Sequence, residues 1–238
     1  MKKIKTSLAQ FLKNKILKIK EYPFVPKISF SQYGEDLIVR SIFYKLAIKT
    51  PSYLDIGAYH PYLLNNTMIF YENGSRGINI EPNPNGLLLF NQYRSEDTNL
   101  NVGIGKAEGK FTYFRFEDST LNTFSEEEAD RMSQMGKRII DQNEIKVKTI
   151  DQIIDAYHKG IYPDFLSVDV EGQELEIINS MQGELRELPK VVCLESYEYH
   201  PQGKGAFRQE LIQSLEKVGY IHFANTGLNS ICINKTVW

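Results

Sequence analysis

The chain has 238 residues, of which 42% are hydrophobic, and a formal net charge of −2. The length and composition suit one large α/β domain. The near-neutral charge argues against a dedicated nucleic-acid binder, which usually carries a strongly basic face. Cys193 and Cys232 lie in apolar strand-like runs and are too few for a disulfide framework or a zinc knuckle, so we expect a cytoplasmic protein. No apolar run approaches the roughly 20 residues that a membrane-spanning helix needs.

Residues 1–30 differ from the rest of the chain. The first 20 residues hold seven lysines and no acid, and apolar side chains recur at near-helical spacing. Lys13, Lys15 and Lys18 interrupt the apolar core that a signal peptide would need. We expect a basic amphipathic helix that docks on the domain or on a second subunit. An interfacial helix on an anionic membrane is a second interpretation, and a disordered arm is a third.

From Ser31 to the C-terminus, strand-like runs alternate with helical patterns, which predicts a mostly parallel sheet with helices on both faces. The predicted strands are Tyr53–Ile56, Gly77–Ile80, Leu100–Ile104, Phe165–Val168, Val191–Leu194, Ile221–Ala224 and Ser230–Asn234. The predicted helices are Glu35–Ile48, Leu64–Glu72, Gly86–Tyr93, Gln173–Met181 and Ala206–Val218. Only a few residues separate the last two strands, so they are expected to form an antiparallel hairpin.

Residues 109–150 interrupt this alternation inside the predicted domain of residues 31–238. Lys110–Phe116 and Ile145–Thr149 alternate like strands, and Ser125–Gln134 has the pattern of an acidic, polar helix. We interpret the segment as an insertion that covers or shapes a site.

The first two strands end in residues suited to binding a nucleoside. Asp55, Gly57 and Ala58 close the first strand, and Glu81 and Pro82 follow the second. An acid about 20 residues beyond such a glycine can accept hydrogen bonds from ribose hydroxyls. Because the second and third glycines of a dinucleotide fingerprint are missing, the pattern favours S-adenosylmethionine, which has no phosphate, over NAD. Turn capping by Asp55 and Glu81 is the alternative.

Further acids follow the next strands. Asp169 and Glu171 come after Phe165–Val168, and Glu195 ends the strand after that. These side chains could position a substrate, bind Mg²⁺ or Mn²⁺, or act as a base. Equally, Glu171 could cap a helix and Glu195 could be an ordinary loop acid. His60 and His200 each precede a proline just beyond a strand and are candidates for proton transfer or metal binding, although such histidines are often merely exposed.

Taken in order, four motifs resemble the FkbM-like methyltransferases over about residues 30 to 235. The motifs are Ser31–Asp36, Leu54–Ala58, Glu81-Pro82 and Asp164–Gly172. The resemblance implies a Rossmann-like class I methyltransferase fold with a seven-stranded, mostly parallel sheet and an antiparallel terminal hairpin. It also implies dependence on S-adenosylmethionine, and most such proteins are O-methyltransferases.

The resemblance further implies site residues. Gln32 and Tyr33 would lie near the cofactor, with Asp55, Gly57 and Ala58 in its first loop. Glu81 and Pro82 would hold the ribose. Asp169 would lie beside the methionine end, and because an expected acid after the third strand is absent, Asp118 and Ser119 are candidate adenine contacts. A divalent cation held by Asp169, Glu195 and His200 is a further hypothesis.

We therefore expect an S-adenosylmethionine-dependent O-methyltransferase that acts on a hydroxyl of a sugar or nucleotide-linked sugar, for bacterial surface-polysaccharide modification. Asp169, Glu171 and His200 are the candidate catalytic groups, and no nucleic-acid partner is expected. The alternatives are a metal-dependent glycosyltransferase that uses Asp169-Val170-Glu171 as a cation site, and a non-catalytic binding module that keeps the fold.

Overall fold

The core of the protein is a seven-stranded sheet. The computed structural model describes residues 27–170, 172–181, 187–198, 200 and 205–238. In sheet order the strands are β3 (Thr98–Leu100), β2 (Gly77–Ile80), β1 (Tyr53–Ile56), β7 (Phe165–Val168), β8 (Val191–Glu195), β10 (Asn229–Asn234) and β9 (Tyr220–Asn225). Only β10 runs antiparallel to its neighbours, so the predicted terminal hairpin of β9 and β10 is confirmed.

Seven α-helices accompany the strands in the described part of the chain. They are α1 (Glu35–Lys45), α2 (Met68–Glu72), α3 (Pro84–Tyr93), α4 (Glu126–Gln134), α5 (Ile150–Tyr157), α6 (Glu174–Ser180) and α7 (Gln209–Lys217). Residues 1–26, which hold most of the predicted N-terminal helix, lie outside the described residues.

Alternation along the buried strands sends side chains to two separate cores. On β8, Val192 and Leu194 pack in a cluster with apolar residues of α5, α6 and α7. Val191 and Cys193 pack on the other face with residues of α1 and α2. Both faces are therefore covered by helices, as the apolar strand runs predicted. The arrangement is the Rossmann-like α/β architecture that the resemblance implied, with a seven-stranded, mostly parallel sheet.

The predicted third strand, Leu100–Ile104, is wrong as a single element. Thr98–Leu100 pairs with β2 in the main sheet, whereas β4 (Gly103–Ile104) pairs with β6 (Ile139–Lys148) in a second sheet. Asn101 lies between the two strands, and its side-chain amide donates to the carbonyl oxygens of Glu81 and Pro82 at 2.8 and 2.7 Å. These two hydrogen bonds satisfy carbonyl oxygens of the loop after β2, and Asn101 lies at the point where the chain changes sheet.

The segment 109–150 folds as a small layer beside the main sheet. Its strand β5 (Gly109–Phe116) pairs antiparallel with β6, and β4 completes a three-stranded sheet. Helix α5 directly after it was not predicted. Thr149 and Gln152 form a reciprocal capping box at its start, and the sequence Thr-x-x-Gln before an apolar run was the available signal.

Helix α2 is shorter than predicted. Asn65 Oδ1 accepts hydrogen bonds from the backbone N–H groups of Thr67 and Met68, so the helix begins at Met68 rather than at Leu64. Among the described residues, no helix has both the length and the apolar character required to cross a bilayer.

Candidate functional site

A cavity opens at the carboxyl ends of the central strands. The strand order reverses between β1 and β7, and ligands of open α/β sheets bind at such switch points. The lining residues are Gln32, Asp55, Ile56, Gly57, Ala58, Tyr59, Leu64, Asn65, Asn66, Ile80, Glu81, Pro82, Asn83, Gly103, Ile104, Tyr113, Ser119, Thr120, Leu121, Asn122, Phe124, Ser167, Asp169, Val170, Glu195 and Leu228.

The turn after β1 forms the floor of this cavity. Gly57 has φ 76°, a left-handed conformation that favours glycine. A Cβ atom there would lie 1.7 Å from the backbone carbonyl oxygen of Asp169, so only glycine lets the turns after β1 and β7 approach this closely. The backbone N–H groups of Gly57 and Ala58 both donate to the carbonyl oxygen of Ile80, which ties the turn to β2.

Glu81 is fixed at the end of β2 with its carboxylate in the cavity. Its two oxygens accept hydrogen bonds from the backbone N–H groups of Tyr59 at 2.7 Å and Asn83 at 2.6 Å. Burial raises the pKa of Glu81 to about 8, against the lowering effect of these two donors. Each oxygen keeps a further lone pair, so the carboxylate can accept two ribose hydroxyls.

Asp55 belongs to a buried polar network as well as to the cavity wall. It accepts hydrogen bonds from Thr67 Oγ1 at 2.8 Å and Asn65 Nδ2 at 3.2 Å. Arg94, which is fully buried, donates to Asn65 and Thr67 in turn and pairs with Asp97 at 2.9 Å. Burial raises the pKa of Asp55, whereas the Arg94 charge lowers it. Asp55 therefore helps to order the loop behind the cavity through hydrogen bonds from side chains.

Asp169 follows β7 and lies among other acids. Its backbone N–H donates to the carbonyl oxygen of Ile56 at 2.9 Å, which continues the β1–β7 ladder into the site. Burial, followed by the charges of Glu174, Asp55 and Glu35, raises the pKa of Asp169 to about 7. A carboxylate with such a pKa is suited to act as a general base near neutral pH.

Two charged residues that sequence reasoning missed, an acid and a base, support the loop that carries Asp169. Glu174 is fully buried and accepts hydrogen bonds from the backbone N–H groups of Val170 and Gly172, and it pairs with Arg208. Only the position of Glu174 at the start of a helical pattern was a signal for this role. Arg208 is 34 positions away, and no local pattern links the two residues.

Glu195 completes the acidic side of the cavity. It ends β8, is 7% exposed and lines the cavity, as Asp169, Ser167 and Asn66 do. Asn66 Nδ2 donates to Ser167 Oγ at 3.3 Å. Sequence reasoning did not select Asn65 or Asn66, although two asparagines before a helical pattern are a helix-start signal.

The segment Ser31–Asp36 reaches the cavity through Gln32, which is a lining residue, whereas Tyr33 is 61% exposed and is not one. Glu35 is fully buried, and burial tends to raise its pKa. Hydrogen bonds from Thr226, Asn229 and the backbone outweigh that effect and leave the pKa lowered. These bonds attach the segment to the β9–β10 turn. Glu35 belongs to the motif Ser31–Asp36, but its role and its partners were not predicted.

The small second sheet provides the outer wall. The rings of Tyr113 and Phe124, both lining residues, lie 4.6 Å apart between centroids. Ser119 also lines the cavity. Asp118 does not; its carboxylate caps the short 3₁₀ helix Ser119–Leu121 by accepting from Thr120.

The remaining predicted groups are not assembled into a metal site. Glu171 lies outside the described residues, and His200 is exposed and is not a lining residue. Among the residues described, no group of three His, Cys, Asp or Glu side chains is placed to hold a metal ion. Asp169 and Glu195 both line the cavity.

His60 has a structural role in the turn after β1. Its Nδ1 accepts hydrogen bonds from the backbone N–H groups of Tyr62 at 3.1 Å and Leu63 at 3.0 Å, and burial lowers its pKa. The neutral ring is therefore favoured, because a protonated Nδ1 could not accept these bonds.

A family model for the methyltransferase FkbM domain matches residues 55–221. This range contains the turn after β1, Glu81, Asp169 and Glu195. No curated protein matches the chain.

Several solved structures are similar at low identity. A methyltransferase FkbM from Methylobacillus flagellatus KT is 16% identical with a TM-score of 0.43, over 78% of this chain and 44% of that one. The chain thus spans less than half the length of that protein. A TehB-like SAM-dependent methyltransferase from Corynebacterium glutamicum is 12% identical, with a TM-score of 0.42 and 97% of each chain covered. The 1,6-didemethyltoxoflavin-N1-methyltransferase of Burkholderia thailandensis, solved with S-adenosylhomocysteine, is 10% identical, with a TM-score of 0.40 over 85% of this chain and 77% of that one.

Proposed function

Because the chain belongs to the FkbM methyltransferase family, we propose that it transfers a methyl group from S-adenosylmethionine to a hydroxyl oxygen of a sugar or nucleotide-linked sugar. A role in modifying a bacterial surface polysaccharide is part of the same proposal. The alternative of a nucleotide-sugar glycosyltransferase has no comparable support in the family match.

One observation carries the cofactor assignment. The Glu81 carboxylate is held by the backbone N–H groups of Tyr59 and Asn83 at the end of β2. The neighbouring strand β1 is followed by Gly57, which lies in close contact with the Asp169 backbone. This is the geometry that a nucleoside with free ribose hydroxyls requires, and it provides no cluster of glycines for a pyrophosphate. Pro82, Ile104 and Phe124 form apolar walls suited to a flat base.

The lining residues Asp169, Glu195, Gln32 and Asn66 provide the groups that a hydroxyl acceptor needs. Bound S-adenosylmethionine supplies a methyl group on a positively charged sulfur. Asp169 would take the proton of the acceptor hydroxyl, so that the hydroxyl oxygen could receive the methyl group. Neighbouring hydroxyls of the acceptor can donate hydrogen bonds to Glu195 and exchange them with the amides of Gln32 and Asn66. These bonds would align the reacting oxygen.

The polar character of these lining residues supports a sugar as the acceptor. Two carboxylates, Asp169 and Glu195, line the cavity and disfavour an anionic group beside the methyl donor. A polyhydroxylated ring can donate hydrogen bonds to carboxylate oxygens. Among the described residues no group of three His, Cys, Asp or Glu side chains is placed to hold a metal ion, so these residue roles are assigned without one.

Calorimetric titration of S-adenosylhomocysteine into the wild type and a Glu81→Gln variant tests the cofactor site. We expect the substitution to weaken binding roughly 10- to 100-fold, because the amide cannot accept two hydroxyls and two N–H groups together. The wild type should also bind more tightly as the pH rises through about 8, since the ionised Glu81 accepts better, and the variant should lose this dependence.

Glu72→Gln is the matched control, because Glu72 is an exposed carboxylate at the end of α2. Equal affinity of the wild type and Glu81→Gln for S-adenosylhomocysteine would contradict the assignment. A methyl-transfer screen against nucleotide sugars, with and without Mg²⁺ or Mn²⁺, then tests the acceptor and the cation hypothesis separately.

A further inference from the structure

The charged side chains that line the central cavity all have the same sign. Four of the lining residues are acids, namely Asp55, Glu81, Asp169 and Glu195, and the described lining residues include no lysine, arginine or histidine. Three of these acids are buried. Carboxylates in a shared site disfavour one another's ionised form, and a nearby positive charge stabilises them. The cavity therefore favours a cationic ligand over an anionic one.

Two of the four acids have partners that do not involve an acceptor. Burial raises the pKa of Asp55, and the charge of Arg94 behind the cavity wall opposes that effect. Hydrogen bonds from two side chains further support Asp55. Glu81 accepts two backbone N–H groups, and in the proposed cofactor site it also accepts the ribose hydroxyls. The remaining acids, Asp169 and Glu195, are those that an acceptor would meet.

The described residues neutralise these two acids only in part. The charges that act on the pKa of Asp169 all belong to other acids, and its carboxylate has no hydrogen bond or ion pair within the described part of the chain. Arg208, which is not a lining residue, pairs with Glu174 and Glu210. Burial lowers the pKa of Arg208, but the charges of these two acids and of Glu195 outweigh it. One cation is thus shared among three acids.

The strand register places the two carboxylates next to each other. Val168 of β7 lies opposite Leu194 of the parallel strand β8. Asp169 and Glu195 are the next residues along these two strands, and both line the cavity. Neighbouring strands lie about 4.8 Å apart, and matching positions on them face the same side of a sheet. Adjacent substituents of one sugar ring can therefore contact both residues.

We propose that the acceptor is an amino sugar, whose protonated amine binds Glu195 while the neighbouring hydroxyl lies at Asp169. An ammonium group brings three donors and a positive charge, and hydrogen bonds of this kind are about twice as strong as neutral ones. The positive charge also favours loss of the proton from the adjacent hydroxyl. A nucleotide-linked sugar would bring a pyrophosphate, for which the described lining residues provide no cation. The inference rests on the proposed methyl transfer and narrows its acceptor from sugars in general to aminated ones.

Titrations into the complex of the full chain with S-adenosylhomocysteine test this without turnover. The probes are glucosamine, galactosamine and mannosamine, each compared with its uncharged N-acetyl derivative and its parent hexose. Glucose 1-phosphate and uridine-diphosphate glucose are the anionic probes. We expect at least one amine to bind at least about tenfold more tightly than its two uncharged counterparts, and the anionic probes to bind more weakly than glucose. Glu195→Gln should reduce the preference for the amine to less than about twofold, because the amide carries no charge.

Glu210→Gln is the matched control, because Glu210 also pairs with Arg208 but is exposed and is not a lining residue. Loss of the preference in Glu195→Gln and not in Glu210→Gln, with both melting temperatures near the wild-type value, supports the proposal. Tighter binding of an anionic probe, no preference for any of the three amines, or the same preference in both variants overturns it. Failure of the wild type to bind S-adenosylhomocysteine counts instead against the proposed function, and the same sugars titrated into the free protein then decide this inference.

Discussion

Asp169 is surrounded by carboxylates in a partly buried position. Glu174, Asp55 and Glu35 all raise its pKa beyond the effect of burial, to about 7. Only one of these, Asp55, was recognisable as a site residue from the sequence, so the titration of Asp169 is a property of the folded protein. Its position after β7, by contrast, was evident from the strand pattern.

The stability of the protein should therefore depend on Asp169 in a defined pH range. An aspartate in an unfolded chain titrates at about 3.9, so the folded protein keeps a proton that the unfolded chain loses. Stability falls as the pH rises from about 4 to about 7, and the loss is complete above that range. Asp169→Asn should melt several degrees above the wild type at pH 8, and the difference should disappear near pH 4.

Asp130→Asn provides the comparison for this measurement, because Asp130 is an exposed carboxylate of α4. The same Asp169→Asn variant should lose about 10²- to 10⁴-fold in kcat if Asp169 is the base. The wild-type kcat should rise towards a plateau above about pH 7. A constant melting difference across the pH range would contradict the titration, and an unchanged kcat would contradict the catalytic role.

At the scale of elements, the contact between the turns after β1 and β7 determines the shape of the site. Gly57→Ala combines a left-handed φ with a Cβ placed 1.7 Å from the Asp169 carbonyl oxygen. We expect a loss of stability above about 3 kcal/mol, together with loss of S-adenosylhomocysteine binding, because the two turns must separate.

Gly74→Ala measures the cost of a left-handed φ alone, without a close contact at Cβ. Gly74 has φ 91°, and a Cβ there would meet its nearest atom, of Thr50, at 3.9 Å. We expect it to cost only about 1 kcal/mol. Equal melting temperatures for the two variants would show that the close approach does not matter.

Arg94 joins α3 to β1 and to the loop before α2. It is fully buried, donates to Tyr53, Asn65 and Thr67, and pairs with Asp97. Arg94→Met should destabilise the fold by about 3–5 kcal/mol, because the Asp97 carboxylate would stay buried without its partner.

The partly exposed Arg76 allows a matched substitution. It pairs with Glu96 at the surface and stacks on the ring of Tyr71. Arg76→Met should cost less than about 1 kcal/mol in chemical denaturation. The Arg94 prediction is wrong if both substitutions have the same small effect.

At the scale of the whole molecule, a ligand of the central cavity should stabilise the native state through linkage. S-adenosylhomocysteine at about 100 times its Kd contributes about 2.7 kcal/mol, which corresponds to a rise in Tm of about 5–10 °C for a domain of this size. Nucleoside diphosphates should leave Tm unchanged. A shift with uridine diphosphate and none with S-adenosylhomocysteine would instead favour a glycosyltransferase.

The alternation of apolar runs was sufficient to predict the parallel sheet, the terminal hairpin and the positions of Gly57, Glu81 and Asp169. Each of these residues follows a buried strand, and the carboxyl ends of parallel strands meet at one edge, so periodicity alone brings them together. Helix α5 was not predicted, although its capping box is a local signal from which it could have been.

Only the tertiary structure determined the contacts between distant parts of the chain. The pairing of Glu174 with Arg208, the attachment of Glu35 to Thr226 and Asn229, and the wall formed by Tyr113 and Phe124 depend on how the elements pack. The break of the third strand at Asn101 has the same origin, since its amide bonds to the loop after β2. Local patterns record which face of an element is buried; they do not record which residue of another element it meets.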